Sequence, residues 1–281
     1  MAVKIACDSS TDLTKEMYES LGVSVLPFNI TLGEKQHTDA VDINSDIIFD
    51  YVEKNKVLPK TSAINEFTFN EFFEANNCDD GLVFISISSR ISSSYSNGAK
   101  ASENFKNVFV VDSASLSTGG GLLVLYACEL RDQGLSAKEI AEKLNERKKH
   151  VQASFVIDKL DYLYKGGRCS SVQRLGANLL KLHPSIIVEN GSMTMHKKYR
   201  GKIEDCTTKY FEDTLAEFNK PATNYCFITY SSATEKMLQN AKSVVESAGI
   251  FKNVYLTKAG ATITSHCGKN TIGILYFNDG E

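Results

Sequence analysis

The chain lacks several features that would mark a function at once. No apolar run in its 281 residues approaches the roughly 20 that a helix needs to cross a bilayer, so no integral membrane segment is expected. The seven cysteines, at positions 7, 78, 128, 169, 206, 226 and 267, include no CxxC pair and no zinc-like spacing. No secretory leader opens the sequence, so reduced thiols and a cytoplasmic location are expected rather than a disulfide framework. Excess charge is missing too, since a net charge of −3 gives no global field for nucleic acid. The densest basic stretch, Arg147-Lys148-Lys149-His150, ends a helical pattern that opens with a capping box at 136–139. Cations there complement the helix dipole, and a solvated helix end is expected. GxGxxG, GxxxxGK[ST] and GxSxG motifs are absent, as are a long Pro/Gly/Ser linker and any repeat of 20–50 residues.

What is present is serine. Residues 85–96 read Ile-Ser-Ile-Ser-Ser-Arg-Ile-Ser-Ser-Ser-Tyr-Ser, directly after the strand-like run 81–87. In an α/β protein the carboxyl end of a strand is where ligands bind. A ligand there meets many hydroxyls and turn amides but one cation, Arg90. Such a set suits holding an oxyanion better than attacking one.

Hydrophobic content of 42% and charged content of 23% are ordinary for a globular protein, and the length allows two domains. The N-terminal half repeats one grammar three times: an apolar run at 3–7, 82–87 or 108–111, then a Ser/Asp loop, then a helical pattern. That grammar predicts a mostly parallel sheet with crossover helices. Between the first two units, 23–30 reads as one more strand, turning at Gly33 into a short paired segment. A helix begins near Asn44-Ser45-Asp46, and 58–62 is an extended loop before an aromatic helix with Phe67, Phe69, Phe72 and Phe73 on one core-facing side.

After His150 the pattern changes. Residues 153–157 are strand-like, 160–165 helical, and 172–182 helical with Pro184 at the end. Asn190-Gly191 between 186–189 and 192–195 signals a tight hairpin. Helices at 206–218 and 236–247 and strands at 224–230, 254–258 and 271–277 complete the half. The expected fold is α/β: an N-terminal α/β domain at 1–152, and a C-terminal α/β domain with a mixed sheet at 153–281.

Several segments, in order, resemble the DegV family. They are Asp8-Ser9-Ser10-Thr11-Asp12-Leu13, Thr61-Ser62, Ile87-Ser88-Ser89-Arg90-Ile91-Ser92-Ser93-Ser94-Tyr95 and Val111-Asp112-Ser113. In the second half they are Leu163-Tyr164-Lys165-Gly166-Gly167-Arg168, the stretch 181–184, Arg200-Gly201 and His266-Cys267-Gly268. The resemblance implies a two-domain protein holding one long-chain fatty acid between its domains. It further implies a non-catalytic subunit of a bacterial fatty acid kinase, without a cofactor of its own. A separate ATP-binding subunit would phosphorylate the bound acid to an acyl phosphate for phospholipid synthesis. By the same resemblance, Thr61 and Ser62 with Ser92 or Ser93 hydrogen-bond the carboxylate. His266 sits beside the headgroup, and Arg200 meets the kinase or the phosphoryl group. The chain departs from the family pattern at Ser93, where glycine is usual, and at Gly268-Lys269-Asn270, where Gly-Pro-Gly is common.

Each residue also has an ordinary structural reading. Thr61 and Ser62 read first as helix N-caps; the serines at 92–94 have a turn and cap reading, but their density favours a site without assigning its members. Asp8 and Asp112 read as Asx turns at strand ends. Arg168 reads as a helix-end cap or a tie between domains. His37, His150, His183 and His196 read as surface or packing residues, leaving His266 as the functional histidine. Two rival functions remain: a serine hydrolase built from a serine of 92–94 with His266 and Asp112, and a nucleotide site at Gly119-Gly120-Gly121, whose simpler reading is close helix packing.

Overall fold

A computed structural model describes residues 2–173 and 182–280. The strands of the N-terminal half are β1 (Lys4–Asp8), β2 (Ser24–Leu26), β3 (Asn29–Leu32), β4 (Lys35–Thr38), β5 (Lys60–Ser62), β6 (Leu82–Ser86) and β7 (Val108–Asp112). Four of them form a sheet in the order β2-β1-β6-β7, parallel at every pair. A sheet covered on both faces needs strands that are apolar throughout, and all five residues of β6 are buried. The repeated grammar therefore folds as predicted.

The stretch 23–30 is not one strand. Pro27 has no N–H to give a ladder and its φ is fixed. β2 accordingly stops at Leu26 and β3 starts at Asn29, in a separate antiparallel sheet of order β4-β3-β5. The expected loop at 58–62 also differs, because Lys60–Ser62 pairs with β3 and sets Thr61 opposite Ile30. Asn65 caps the helix Glu66–Asn76, accepting the Thr68 N–H at 2.9 Å. Thr61 and Ser62 are therefore strand residues and not N-caps. In the same helix Phe69 and Phe73 are fully buried against Phe84, whereas Phe67 is 70% exposed and leaves the predicted apolar side.

The second half contributes β8 (Val151–Val156), β9 (His183–Glu189), β10 (Ser192–Tyr199), β11 (Tyr225–Tyr230), β12 (Asn253–Lys258) and β13 (Ile272–Phe277). They form a six-stranded sheet in the order β10-β9-β8-β13-β11-β12. It is mixed, with β11 and β12 parallel and the other pairs antiparallel. Asn190 and Gly191 have φ values of 49° and 80° in the connection between β9 and β10, as the Asn-Gly pair predicts. Pro184 itself is a strand residue. It is the second residue of β9, where a missing N–H is tolerated. Of the helix expected at 172–182, only the first two residues belong to a described helix, Ser170–Gln173, and 174–181 lie outside the described residues.

Alternation along β13 shows how the halves join. Ile272, Ile274 and Tyr276 pack with Tyr210, Phe211 and Met237 from the helices Ile203–Glu217 and Glu235–Ala248. Leu275 and Phe277 belong instead to the core cluster that includes Ile5, Phe84 and Leu122 of the N-terminal half. Arg147 strengthens this junction and is not the solvated end expected from the sequence. Its Nε lies 2.9 Å from Asp279 Oδ2, and its guanidinium stacks over Tyr126 and Phe277 at 4.5 and 4.2 Å from the ring centroids. The three glycines at 119–121 serve close packing: a Cβ on Gly121 would fall 2.9 Å from the Thr11 carbonyl. Among the described residues no helix is long and apolar enough to cross a membrane, and no cluster of metal ligands exists.

Candidate functional site

A cavity of about 510 Å³ lies where the serine-rich loop, β5 and the helix Ala261–Cys267 meet. Thr61, Ser62, Ser92, Ser93 and His266 all line it, so five residues spread over more than 200 positions meet at one cavity. Arg200 does not line the cavity. It is exposed, just past β10.

Each polar group at the cavity is positioned by backbone that the sequence specifies locally. Pairing with β3 holds Thr61 half-buried on β5, between exposed Lys60 and Ser62. Its Oγ1 lies 2.8 Å from His266 Nε2. The other ring nitrogen, Nδ1, is buried without a partner and faces Gly166, where a Cβ would stand only 2.7 Å away. Burial, with the Arg168 charge adding to it, pulls the His266 pKa down to about 4, so the ring is neutral at pH 7. A neutral imidazole carries one N–H. A buried N–H without an acceptor is rarer than an under-used acceptor, which places the proton on Nε2, donating to Thr61. The Thr61 hydroxyl proton is then free to point into the cavity.

The serine loop is held from below by two carboxylates. Asp8 Oδ2 accepts the Ile87 N–H at 2.7 Å and the Ser86 hydroxyl at 3.2 Å, while Oδ1 accepts the Ser10 N–H at 3.1 Å. Asp112 Oδ1 accepts the N–H groups of Ser89 and Ala114 at 3.1 and 2.8 Å. Both aspartates thus do what their strand-end positions predict, and neither lines the cavity. Ser92 Oγ accepts the Ser94 N–H at 3.2 Å, and Ser94 Oγ accepts the Ile64 N–H at 3.1 Å. Ser93 precedes the helix Ser94–Ser102 but makes no side-chain cap, leaving its exposed hydroxyl available.

Two further aspartates hold the helix that carries His266: Asp39, which sequence reasoning passed over, and Asp12, which it quoted within the first Ser/Asp loop without this role. Asp39 is 1% exposed and accepts the Ala261 N–H at 2.9 Å, the Thr262 hydroxyl at 2.6 Å and the Ser9 hydroxyl at 2.9 Å. Asp12 accepts the Gly260 N–H at 2.8 Å and the Ser117 hydroxyl at 2.5 Å. Desolvation pushes Asp12 up to about 8 and Asp8 up to about 6, and raises Asp39 as well. The β9–β10 hairpin also reaches the cavity. Ser88 Oγ donates to the Gly191 carbonyl at 2.8 Å, and Met193 faces the cavity.

The apolar lining includes Phe28, Ile87, Ile91, Leu116, Leu163 and Met193, drawn from separate segments of the chain. Arg90 and Arg168 also line the cavity and are exposed. Arg168 donates to the Gly166 carbonyl, as a helix-end residue would. Lys269 pairs with Glu53 at 2.8 Å and does not line the cavity. The hydrolase reading finds no support in these bonds. His266 contacts a threonine, its Nδ1 meets no carboxylate, and Asp112 is committed to backbone amides. The site can surround an anionic head with hydroxyls and cover an apolar body.

Known proteins resemble the chain over almost its whole length. The model of the family described as uncharacterised protein, DegV family, matches residues 2–279. A DegV domain-containing protein of Staphylococcus aureus strain COL is 29% identical over 275 residues, covering 96% of this chain and 97% of the relative. A DegV family protein of Thermus thermophilus, whose structure is described as showing fatty acid binding, superposes with a TM-score of 0.89 at 25% identity over 99% of both chains. The B3 protein of the Streptococcus pneumoniae fatty acid kinase, loaded with linoleic acid, has the same fold. It superposes with a TM-score of 0.84 at 18% identity, over 99% of this chain and 100% of the other.

Proposed function

The chain belongs to the DegV family, and from that premise we propose that it binds a long-chain fatty acid with the carboxylate at Thr61, Ser62, Ser92 and Ser93 beside His266. The observation that carries this reading is the cavity itself, lined by the hydroxyls of Thr61, Ser62, Ser92 and Ser93 together with apolar side chains from both halves of the chain. Burying a tail contributes roughly 0.8 kcal/mol per methylene. A carboxylate that enters with the tail loses water and needs hydrogen bonds in return. The Thr61 hydroxyl, with its oxygen already engaged by His266, has its proton free for that role.

Hydroxyl recognition also fits an acid that must react later. A bidentate arginine would occupy both carboxylate oxygens, whereas serine and threonine leave one able to attack a phosphorus atom. On this reading the protein is a non-catalytic subunit that presents its ligand to a separate ATP-binding kinase, which forms the acyl phosphate. Arg200, exposed and outside the cavity, is assigned to the kinase or the transferred phosphoryl group. We take the chain to divide into units at 1–152 and 153–281, with the ligand between them.

Calorimetric titration of lipid-stripped protein with oleate tests the reading. Saturable binding near one per chain, with no turnover of p-nitrophenyl esters, is the expected result. Esterase turnover abolished by changing one of Ser92, Ser93 or Ser94 to alanine would replace it with the hydrolase.

A further inference from the structure

One cluster of polar side chains stands outside the cavity, at one edge of the six-stranded sheet. Asp158 lies two residues beyond β8, His183 opens β9, Arg200 and Gly201 follow β10, and Asn270 stands two residues before β13. The strand pairing brings these ends together, because β9 pairs with both β8 and β10, and β13 pairs with β8.

His183 is the hub of this cluster. Its backbone is paired with Tyr199, the residue before Arg200. Its ring reaches the residue after Arg200, with Nε2 3.2 Å from the Gly201 carbonyl oxygen. A carbonyl only accepts, so Nε2 carries a proton and donates it. One residue thus grips both flanks of Arg200. The other ring nitrogen, Nδ1, is buried, makes no hydrogen bond among the described residues, and stands 3.4 Å from Asp158 Oδ1. Asp158 is fixed in turn by Asn270, whose Nδ2 donates to its Oδ2 at 3.0 Å. Asn270 is three residues past Cys267, the end of the helix that carries His266. The turn has use for such a grip. Gly201 has a φ of 129°, and a Cβ there would meet no atom within 4 Å, so packing on that side does not hold it. Glycine leaves the backbone many conformations, and the bond from His183 selects one.

We infer that His183 is a positioning residue for Arg200: its ring, oriented by Asp158 and Asn270, fixes the Arg200-Gly201 turn for phosphorylation of the bound acid. This rests on the role assigned to Arg200 above and deepens it. His183 does not line the cavity and touches no ligand there. It acts through Arg200 alone, and it ties the Arg200 turn to the chain segment that ends the His266 helix.

The test measures oleate affinity, and phosphorylation of bound oleate by the kinase subunit, for His183→Ala, Arg200→Ala and the double variant. His183→Ala should keep oleate affinity within about twofold, because the ring lies outside the cavity. Turnover should fall by about two- to tenfold, the equivalent of one hydrogen bond. It should fall no further when His183→Ala is added to Arg200→Ala. Effects that multiply in the double variant overturn the inference, since His183 would then act without Arg200. His183→Gln, which keeps a donor near the place of Nε2, should restore most of the turnover. His183→Asn, whose amide reaches only the place of Nδ1, should not. Equal turnover in these two variants also overturns the inference, and the pair decides if His183→Ala fails to fold. A loss in Arg200→Ala with none in His183→Ala overturns this inference and spares the role of Arg200. Unchanged turnover in Arg200→Ala overturns that role, and this inference with it.

Discussion

His266 Nε2 and Thr61 Oγ1 lie 2.8 Å apart although 205 positions separate them in the chain. This bond joins the helix before β13 to the short strand β5, and both residues line the cavity. Its direction decides the chemistry of the site. With the imidazole neutral and its proton on Nε2, threonine accepts from histidine and keeps its own proton to donate.

Replacing Thr61 by alanine removes that donor and leaves His266 without its partner. Oleate affinity should fall by about 0.5–3 kcal/mol, the range for hydrogen bonds including those to charged groups. Thr61→Ser should restore most of it, because the hydroxyl returns. Isothermal titration of the two variants checks both expectations, and equal losses would remove the hydroxyl from the site.

Replacing Arg200 by alanine should leave oleate affinity within about twofold, since rim charges outside a contact contribute little. Phosphorylation of the bound acid by the kinase subunit should fall at the same time. Unchanged turnover in a coupled kinase assay would withdraw the role assigned to Arg200.

The buried acids give the protein a pH signature with two opposing arms. His266 is held at about 4, below its ordinary 6.5, so the unfolded chain takes up a proton that the folded chain refuses. Its contribution to stability is lost as pH falls from 6.5 towards 4. Asp12, held up to about 8, acts in the opposite sense, because the folded chain keeps a proton that the unfolded chain releases above the usual carboxylate range. That contribution fades as pH rises to about 8. Between pH 6.5 and 8 the Asp12 arm remains, and urea-unfolding stability should fall by up to about 1 kcal/mol per pH unit. Asp12→Asn should flatten this slope, and a slope that persists in the variant would contradict the assignment.

Gly191 is needed twice over. Its φ of 80° suits glycine, and a Cβ would stand 2.5 Å from Ser88 Oγ and 3.2 Å from Arg90 Cγ. Gly191→Ala should cost about 1–3 kcal/mol of stability and weaken oleate binding, because the hairpin tip rests on the serine loop. Urea unfolding and titration of the variant measure the two effects.

The sequence made local features legible and left convergent ones hidden. The apolar run of β6, the Asn-Gly hairpin and the Ser/Asp loops are short-range signals, and each folds as expected. The split at Pro27 was harder to see, because the apolar pattern continues across it while the chain changes sheets. Thr61 illustrates the same limit. It resembled a cap because it stands shortly before a helix, yet its pairing with Ile30 depends on a strand 31 residues away. Asp39 carried no signal of its own, and Asp12 appeared only as one member of the first Ser/Asp loop. Their role exists only because Gly260, Ala261 and Thr262 arrive beside them from the far end of the chain. That Thr61, Ser62, Ser92, Ser93 and His266 meet at one cavity was foreseeable only through the family resemblance. The apolar lining was not, since Phe28, Leu116, Leu163 and Met193 look like any other core residues.

Mass spectrometry of the as-purified protein, intact and then after denaturation and lipid extraction, tests the central claim most directly. The account predicts one long-chain fatty acid per chain, released on denaturation. A protein that is empty as purified and takes up neither added oleate nor added palmitate would contradict it.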